Sequence, residues 1–299
     1  MLGLITGSGF YNVSELEDGV DETVATMYGE VVVTRARWLG AHEVVFLARH
    51  GVGHSLAPHL INYRANVAAL DALGVTAIVA TAVSGAMAEG LDSGMLVAIS
   101  DFLDFTKGRP GTFFDTPGLV QHTEMGTAYD PELRELVVKA AGSVGIDIVD
   151  GGTYCTFNGP RFESPAEIRM AAQLGGDLVG MTGYPEVVLA RELGIAYASI
   201  GVISNRAAGM GAKELSLDEI MAVLARAAPP LMSVVGATIE HYYAAKSDPA
   251  KASQRMFTGE DIAAWNLTGG PKENEPHSKD PHSKDPHSKD PHSQDAADD

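Results

Sequence analysis

The sequence contains a single cysteine, Cys155, so no disulfide can form within the chain. This scarcity is typical of a reducing compartment, and we expect a cytoplasmic protein. Long hydrophobic runs are also missing, because no apolar segment approaches the roughly 20 residues that a membrane helix requires. The first ten residues, MLGLITGSGF, lack the basic start and cleavage site of a secretory signal. No membrane contact is therefore expected.

Basic residues are scarce: 21 Lys and Arg side chains stand against 39 Asp and Glu, a formal net charge of −18. A surface of this sign repels nucleic acid and anionic lipid, so we expect neither as a partner. It would also repel phosphate. Any anion site in this chain must therefore be local, made from backbone amides and a few arginine or histidine side chains.

The composition changes near Lys246, and from Pro276 the pentapeptide PHSKD occurs three times in succession, followed by PHSQD. A short repeat with proline cannot sustain a helix or a central strand and has nothing to bury. We predict one large domain over residues 1–245 and a mostly disordered tail over 246–299. The histidines of the repeats allow a metal-binding alternative, but a solvated spacer is favoured because nothing preorganises them.

The domain itself alternates predicted strands and helices. The segment from Pro58 to Leu73 has the apolar spacing of an amphipathic helix, and the apolar run Val75 to Val83 follows as a strand. Further strands are predicted from Met95 to Phe105 and from Ile195 to Ile203. A strand–helix–strand order implies parallel neighbours, so we predict an α/β fold with a parallel sheet.

Polar residues between Gly151 and Asn205 stand where the chain changes from one element to the next. Ser164 to Glu167 forms a capping box that begins a helix. Phe162 and Glu163 come just before that helix, whereas Met181-Thr182 and Ser204-Asn205 follow predicted strands. Ligands of open α/β sheets gather beyond the carboxyl ends of strands. The stretch therefore predicts a pocket.

Two further turns are suited to an anion. Gly7-Ser8-Gly9 follows a short apolar strand, and such a turn can direct backbone amides and the Ser8 hydroxyl inward. It lacks the third glycine of a dinucleotide fingerprint and the lysine of a P-loop, so a plain tight turn is an equal alternative. Arg49 and His50 end another strand, where an arginine can grip an oxyanion. A surface arginine paired with a carboxylate is the competing interpretation.

The segments GPRFESPAE and VGMTGYPEVVLARE, with the strand that ends in Asn205, resemble the trimeric purine nucleoside phosphorylases. The resemblance runs from Gly3 to about Ala245 and is strongest to the branch with methylthioadenosine and methylthioinosine phosphorylases. It implies a single-domain, three-layer α/β fold, in which helices flank a central mixed and mostly parallel sheet. It also implies a homotrimer that uses inorganic phosphate as co-substrate, with no metal or organic cofactor.

The resemblance assigns roles to individual positions. Phosphate contacts are implied for Ser8, Arg49, His50 and Thr182, and for the backbone of the turn that contains Ala82 and Val83. Nucleoside contacts are implied for Phe162 on the purine face, Met181 along the ribose, His54 near the 5′ group, Leu217 and Ile220 beneath it, and His122 in a neighbouring subunit's site. For His54, Leu217 and Ile220, a purely structural role is a comparable alternative. A histidine on a loop, such as His122, is more often incidental when considered alone.

Glu163 and Asn205 are the predicted catalytic pair, because together they suit a 6-oxopurine. An ionised carboxylate accepts from the N1–H of such a base, and an amide N–H can meet the charge that develops at N7 and O6 as the base departs. The 6-amino branch typically has serine at the position of Glu163 and aspartates at those of Asn205 and Ala207. The sequence thus predicts phosphorolysis of inosine, guanosine or methylthioinosine, and does not distinguish a 5′-hydroxyl from a 5′-methylthio group.

Three alternatives are weighed against this function. The first is a phosphorylase of 6-aminopurine nucleosides such as methylthioadenosine. The second is a nucleoside hydrolase of the same fold, which the anion-binding residues Ser8, Arg49, His50 and Thr182 disfavour. The third is a protein without catalysis that binds a nucleotide or a metal.

Overall fold

The computed structural model describes residues 1–10, 13–211 and 216–246. The described chain contains these strands: β1 (Leu2–Thr6), β2 (Leu16–Thr26), β3 (Gly29–Trp38), β4 (His42–Ala48), β5 (Ala77–Ala86), β6 (Leu96–Ala98), β7 (Asp101–Asp104), β8 (Ile148–Asp150), β9 (Thr153–Thr156), β10 (Leu178–Gly180) and β11 (Ala196–Arg206). Its α-helices are α1 (Tyr63–Ala72), α2 (Pro131–Ser143), α3 (Pro165–Gln173), α4 (Glu186–Glu192) and α5 (Leu217–Lys246). Apart from Lys246, the predicted tail with its PHSKD repeats lies outside the described residues.

All described strands belong to one mixed sheet, in which the order β2-β3-β4-β1-β5-β10-β9-β7 forms the main path. β11 lies parallel to β5 along its length and carries β6 and then β8 on its other side. The sheet branches at β5, because the first half of this strand pairs with β1 and its last two residues pair with β10. Parallel pairings outnumber antiparallel ones, as the sequence predicted.

Helices cover both faces of the sheet. Apolar residues of α1 and α4 are buried in one large cluster with the sheet, and those of α2 and α5 are buried in a second cluster with the other sheet residues. A smaller cluster joins α3 to β9 and β10. Burial of these clusters supplies the main driving force for folding. The prediction of a three-layer α/β fold is confirmed.

Two predicted elements differ from the structure. The helix expected from Pro58 to Leu73 begins only at Tyr63, because Asn62 is its N-cap and accepts from the backbone of Ala65 at 3.1 Å. The strand expected from Met95 to Phe105 is divided into β6 and β7, which pair with different neighbours. Between these two short strands, the Ser100 hydroxyl accepts from Gly152 N at 3.0 Å.

The long apolar helix α5 belongs to the core. By length and composition, Leu217–Ala245 is the one described helix that is long and apolar enough to cross a membrane. However, Leu224, Leu231 and Val235 on this helix are buried against the sheet. The last turn is also fixed by a polar contact, in which Tyr242 Oη and Thr76 Oγ1 lie 2.8 Å apart. Tertiary packing therefore accounts for its apolar face.

Candidate active site

A cavity of about 200 Å³ opens at one edge of the sheet. The strands β1, β4, β5 and β11 are mutually parallel, so their carboxyl ends meet at this edge. Parallel α/β sheets bind ligands in this position. Twelve of the residues singled out from the sequence line the cavity: Ser8, Arg49, His50, Val83, Phe162, Glu163, Met181, Thr182, Asn205, Ala207, Leu217 and Ile220.

Three of the residues singled out do not line it. Ala82 is buried within β5, one residue before the lining residue Val83. His54 is exposed, and its ring stacks on that of His50 with centroids 4.5 Å apart. His122 is exposed on the segment between β7 and α2. His122 thus contributes nothing to this cavity within one chain.

The glycine-rich turn after β1 approaches the Arg49 side chain closely. A Cβ atom on Gly7 would lie 3.0 Å from Arg49 Nη1, so a larger residue would crowd the guanidinium. The amide of Gly7 donates to Thr81 Oγ1 at 3.4 Å, which fixes the turn to β5. The turn and Ser8 therefore form one wall beside a buried cation, the combination of amide groups and positive charge that suits an anion.

Arg49 is almost fully buried, with 1% of its surface exposed. Its guanidinium forms a bidentate pair with Glu186, with Nε to Oε2 at 2.9 Å and Nη2 to Oε1 at 2.8 Å. Nη1 donates to the carbonyl of Thr81 at 2.7 Å. Glu186 holds the pKa of Arg49 above its ordinary value against the effect of burial. The guanidinium is thus permanently charged and oriented beside the cavity.

Glu186 was not among the residues singled out from the sequence. It is completely buried as the first residue of α4. Besides Arg49, its carboxylate accepts from the hydroxyl of Tyr197 at 2.7 Å. A buried carboxylate requires partners of this kind. An ionisable residue within an apolar segment is therefore the sequence signal that could have identified Glu186.

His50 is buried and neutral near physiological pH. Burial lowers its pKa to about 4. Its Nδ1 lies 2.9 Å from the carbonyl oxygen of Leu56, which can only accept, so Nδ1 carries the proton. The other ring nitrogen, Nε2, then has a lone pair and can accept a hydrogen bond. It lies near the turn, because a Cβ atom on Gly7 would be 3.8 Å from it.

Glu163 enters the cavity from the turn before α3. Its side chain is buried, and its Oε1 atom accepts no hydrogen bond from the described residues. Burial raises its pKa above the ordinary carboxyl value. The predicted capping box is present immediately after it, since Ser164 and Glu167 bond each other's backbone amides. The cap fixes the start of α3 and with it the preceding carboxylate, while Phe162 beside it is half exposed.

Asn205 lies within β11, not beyond its end as the sequence suggested. The register of β11 against β5 shifts between Ile203 and Asn205, which is a β-bulge at Ser204. Such bulges redirect side chains near binding sites. The amide nitrogen of Asn205 donates to the carbonyl of Arg206 at 2.8 Å, and its oxygen accepts from Ser204 Oγ at 2.6 Å. Gly85 on β5 leaves room for this amide, because a Cβ there would lie 3.3 Å from Nδ2.

Arg109 connects the loops around the cavity. Its guanidinium donates to the carbonyls of Met181 and Tyr184, both at 2.8 Å, and of Asn158 at 3.0 Å. The charge also lies over the ring of Tyr63, 5.2 Å from its centroid. Because Met181 precedes Thr182, one side chain holds the segment that supplies two cavity residues. Arg109 itself lies on the long segment between β7 and α2 and was not among the residues singled out from the sequence.

One wall of the cavity is apolar. Leu217 and Ile220 come from the first turn of α5, followed by Met221 and Leu224. Leu224 also packs under the turn at Gly9, where a Cβ atom would lie 3.2 Å from Leu224 Cδ1. The polar and apolar walls together suit a ligand with an anionic end and a largely apolar end. Within the described part of the chain, no group of three His, Cys, Asp or Glu side chains is arranged to hold a metal ion.

Comparison with known proteins agrees with this architecture. The family model of the phosphorylase superfamily matches residues 2–240. The chain therefore belongs to the phosphorylase superfamily and is an enzyme of that superfamily.

Individual relatives have names that are more specific than that of the superfamily. The chain is 44% identical over 252 residues to a probable S-methyl-5′-thioinosine phosphorylase of Methanopyrus kandleri, covering 83% of this chain and 95% of the relative. It is 42% identical over 244 residues to the 6-oxopurine nucleoside phosphorylase of Pyrococcus furiosus, covering 80% and 91%. Among solved structures, methylthioadenosine phosphorylase of Schistosoma mansoni in complex with adenine superposes with a TM-score of 0.77 at 28% identity, covering 89% and 97%.

Proposed function

We propose that this enzyme cleaves 6-oxopurine nucleosides with inorganic phosphate, releasing the purine base and ribose 1-phosphate or its 5-methylthio analogue. The buried carboxylate of Glu163 carries the proposal, because its Oε1 has no donor among the described residues and shares one cavity with the Asn205 amide. The N1–H of a 6-oxopurine supplies that donor. No metal or organic cofactor is required by this chemistry.

Phosphate binds at the turn after β1 together with the end of β4. Glu186 and Thr81 use three N–H groups of Arg49, which leaves one N–H on each terminal nitrogen for the anion. The Ser8 and Thr182 hydroxyls and the backbone of Val83 add donors. The neutral His50 offers Nε2 as an acceptor, so it pairs with the protonated oxygen of hydrogen phosphate.

A phosphate oxygen then attacks C1′ of the ribose as the bond from C1′ to N9 of the purine breaks. The electron pair of that bond leaves with the base. Negative charge therefore grows on the purine ring, where the free N–H of Asn205 meets it at N7, while ionised Glu163 holds N1–H. Met181 lies along the ribose and Phe162 packs on the purine face in this arrangement.

A 6-aminopurine presents a lone pair at N1 to the Glu163 carboxylate. A buried charge without a partner costs about 1–3 kcal/mol, roughly tenfold to a hundredfold in rate. The likeness to a methylthioadenosine phosphorylase bound to adenine supports the 6-amino alternative. Sequence identity is higher to the two relatives named for 6-oxopurine and methylthioinosine substrates, which supports the 6-oxo function.

Further parts of the proposal concern the whole enzyme. The apolar wall of Leu217 and Ile220 lies beneath the 5′ group and accepts a methylthio or hydroxymethyl substituent, with His54 nearby for the latter.

We propose that residues 1–245 form the catalytic domain, that the enzyme is a cytoplasmic homotrimer, and that His122 reaches a neighbouring subunit's site. The single cysteine, buried in β9, supports a reducing compartment.

Initial rates with inosine, guanosine, methylthioinosine, adenosine and methylthioadenosine test the proposal, each with and without phosphate. We expect kcat/KM for the 6-oxopurines to exceed that for the 6-aminopurines at least tenfold, and activity to require phosphate. A preference for methylthioadenosine would refute the base assignment. Equal activity in phosphate-free buffer would identify a hydrolase. The double variant Glu163→Ser, Asn205→Asp should shift the preference toward 6-aminopurines.

A further inference from the structure

Glu186 is a completely buried carboxylate that does not line the cavity. Three hydrogen bonds reach it: two from Arg49 and one from Tyr197, at 2.7–2.9 Å. The three residues come from the turn after β4, from α4 and from β11, so the fold brings them together from distant parts of the chain. Burial of an ion pair is costly, and its retention beside a cavity calls for a functional reason.

The pair fixes the plane of the guanidinium. The two parallel bonds to Glu186 determine the rotation of Arg49 about its terminal bonds, and the bond from Nη1 to Thr81 prevents tilting. Nη1 also lies beneath Gly7, where a Cβ atom would come within 3.0 Å. The remaining N–H groups therefore have one available direction, toward the cavity that Arg49 lines.

We propose that Glu186 is a positioning residue for phosphate, which holds Arg49 in its anion-binding orientation and is itself held by Tyr197. This inference rests on the proposed function, in which phosphate is the co-substrate. Glu186 touches neither substrate, so its effect passes through Arg49 alone.

The alternative role for Glu186 is only to neutralise the charge of Arg49. The two roles predict opposite changes in phosphate affinity when the charge of Glu186 is removed. If Glu186 only neutralised Arg49, removal of its negative charge would strengthen the attraction between Arg49 and phosphate. If it orients Arg49, the variant Glu186→Gln would weaken phosphate binding. In either orientation the carboxamide places its NH2 group against Nε or Nη2 of Arg49, both of which are donors, so one bond is lost and the guanidinium must rotate. The sign of the change thus separates the two roles.

The experiment measures the Kd of inorganic phosphate by calorimetry, without nucleoside, and the separate KM values for phosphate and inosine. For Glu186→Gln we expect the Kd and KM for phosphate to rise at least tenfold, with less than a threefold change in the KM for inosine. Tyr197→Phe removes one bond to Glu186 without touching Arg49, and a rise of about two- to fivefold in both phosphate constants is expected. Glu186→Asp should retain part of the phosphate affinity that Glu186→Gln loses.

Glu192→Gln is the matched control. Glu192 is a partly buried carboxylate on the same helix, but it accepts from neutral donors, Thr112 Oγ1 at 2.7 Å and Phe113 N at 2.8 Å. We expect this variant to leave both phosphate constants unchanged. Unchanged or tighter phosphate binding in Glu186→Gln would overturn the proposal, as would an equal rise in the control. If Glu186→Gln does not fold, unchanged phosphate binding in Tyr197→Phe overturns it. Wild-type enzyme that binds no phosphate would refute the proposed function itself.

Discussion

Glu163 and Glu167 are four residues apart near the start of α3, and the fold shifts their pKa values in opposite directions. Burial in the cavity raises the pKa of Glu163, whereas hydrogen bonds from Arg161 lower the pKa of partly exposed Glu167 to about 2. One carboxylate is stored in an unfavourable environment for a substrate contact. The other fixes the helix start by accepting from Ser164 N at 2.7 Å.

The variant Glu163→Gln is therefore expected to be more stable and less active. The raised pKa means that the fold favours the neutral acid, so ionisation near neutral pH costs stability that the amide avoids. Tm should rise by about 2–4 °C for each kcal/mol gained, with the difference from wild type vanishing below the ordinary carboxyl pKa. Because the carboxylate is also the proposed N1–H acceptor, kcat/KM for inosine should fall about tenfold to a hundredfold. Calorimetric scans across pH and initial rates check both effects.

Glu167→Gln is the control with the opposite sign. In the wild type, the lowered pKa of Glu167 means that its carboxylate stabilises the fold at pH values above the ordinary pKa of 4.5. This stability is lost as the pH falls toward 2. This variant should melt below wild type near neutral pH, and the difference should shrink in acid. An increase in Tm for both variants would contradict the assignment of Glu163 as a strained functional carboxylate.

Residue types and the family resemblance together pointed to twelve residues of the cavity lining, but not to the partners that hold it. Arg49 and Glu163 were recognisable because a cation and a carboxylate stood at the ends of predicted elements. Glu186 and Tyr197 were not, since each is an isolated polar residue whose partner is distant in sequence. Only the fold brings them together, so their roles required coordinates.

At the level of elements, the loops around the cavity depend on Arg109. Its guanidinium bonds the carbonyls of Met181, Tyr184 and Asn158, so the loops after β9 and β10 share one donor group. Loops held by a few hydrogen bonds open more easily than core strands. Loss of this donor should therefore loosen the segment that supplies Met181 and Thr182.

We expect Arg109→Met to lower kcat/KM at least tenfold and to raise the KM values of both substrates, because Thr182 faces phosphate and Met181 faces ribose in the proposed site. Hydrogen exchange of the amides of residues 181–184 should accelerate. Arg134→Met is the comparison, since Arg134 pairs with Asp150 at the surface and such pairs contribute about 0–1 kcal/mol. Comparable effects in the two variants would show that Arg109 has no special connection to these loops.

Apolar periodicity predicted the central elements but not the edge strand β2. The elements α1, β5, α3 and β11 were recognisable, because apolar runs and caps mark buried strands and helix ends. The edge strand β2, with sequence LEDGVDETVAT, is largely exposed and has no apolar pattern to detect. The bulge at Ser204 was also unpredictable, because it arises from the pairing of β11 with β5.

At the scale of the whole molecule, the proposed trimer makes each active site a joint product of two subunits. Glu163 belongs to the subunit that binds the base, while His122 lies on an exposed segment outside that subunit's cavity. A defect in one residue can then be complemented by a subunit with a defect in the other.

Mixed trimers of His122→Ala and Glu163→Gln subunits should consequently be more active than either parent. One site is restored wherever a subunit with wild-type Glu163 receives wild-type His122 from its neighbour. Coexpression with two affinity tags isolates such trimers, and their rate with inosine is compared with the mean of the parents. A rate equal to that mean, or a monomeric enzyme by sedimentation, would exclude the shared site.

The cavity is lined by residues from Gly7 to Leu224, so the turn after β1 and helix α5, at opposite ends of the described chain, meet at the same ligand. No fragment of the domain contains a complete site. Occupancy of the cavity is therefore linked to the global unfolding equilibrium, and a ligand present at a hundredfold excess over its Kd adds about 2.7 kcal/mol to the folded state. The melting temperature of the unlabelled protein thus serves as a reporter for screening nucleosides and anions before any assay of turnover is established.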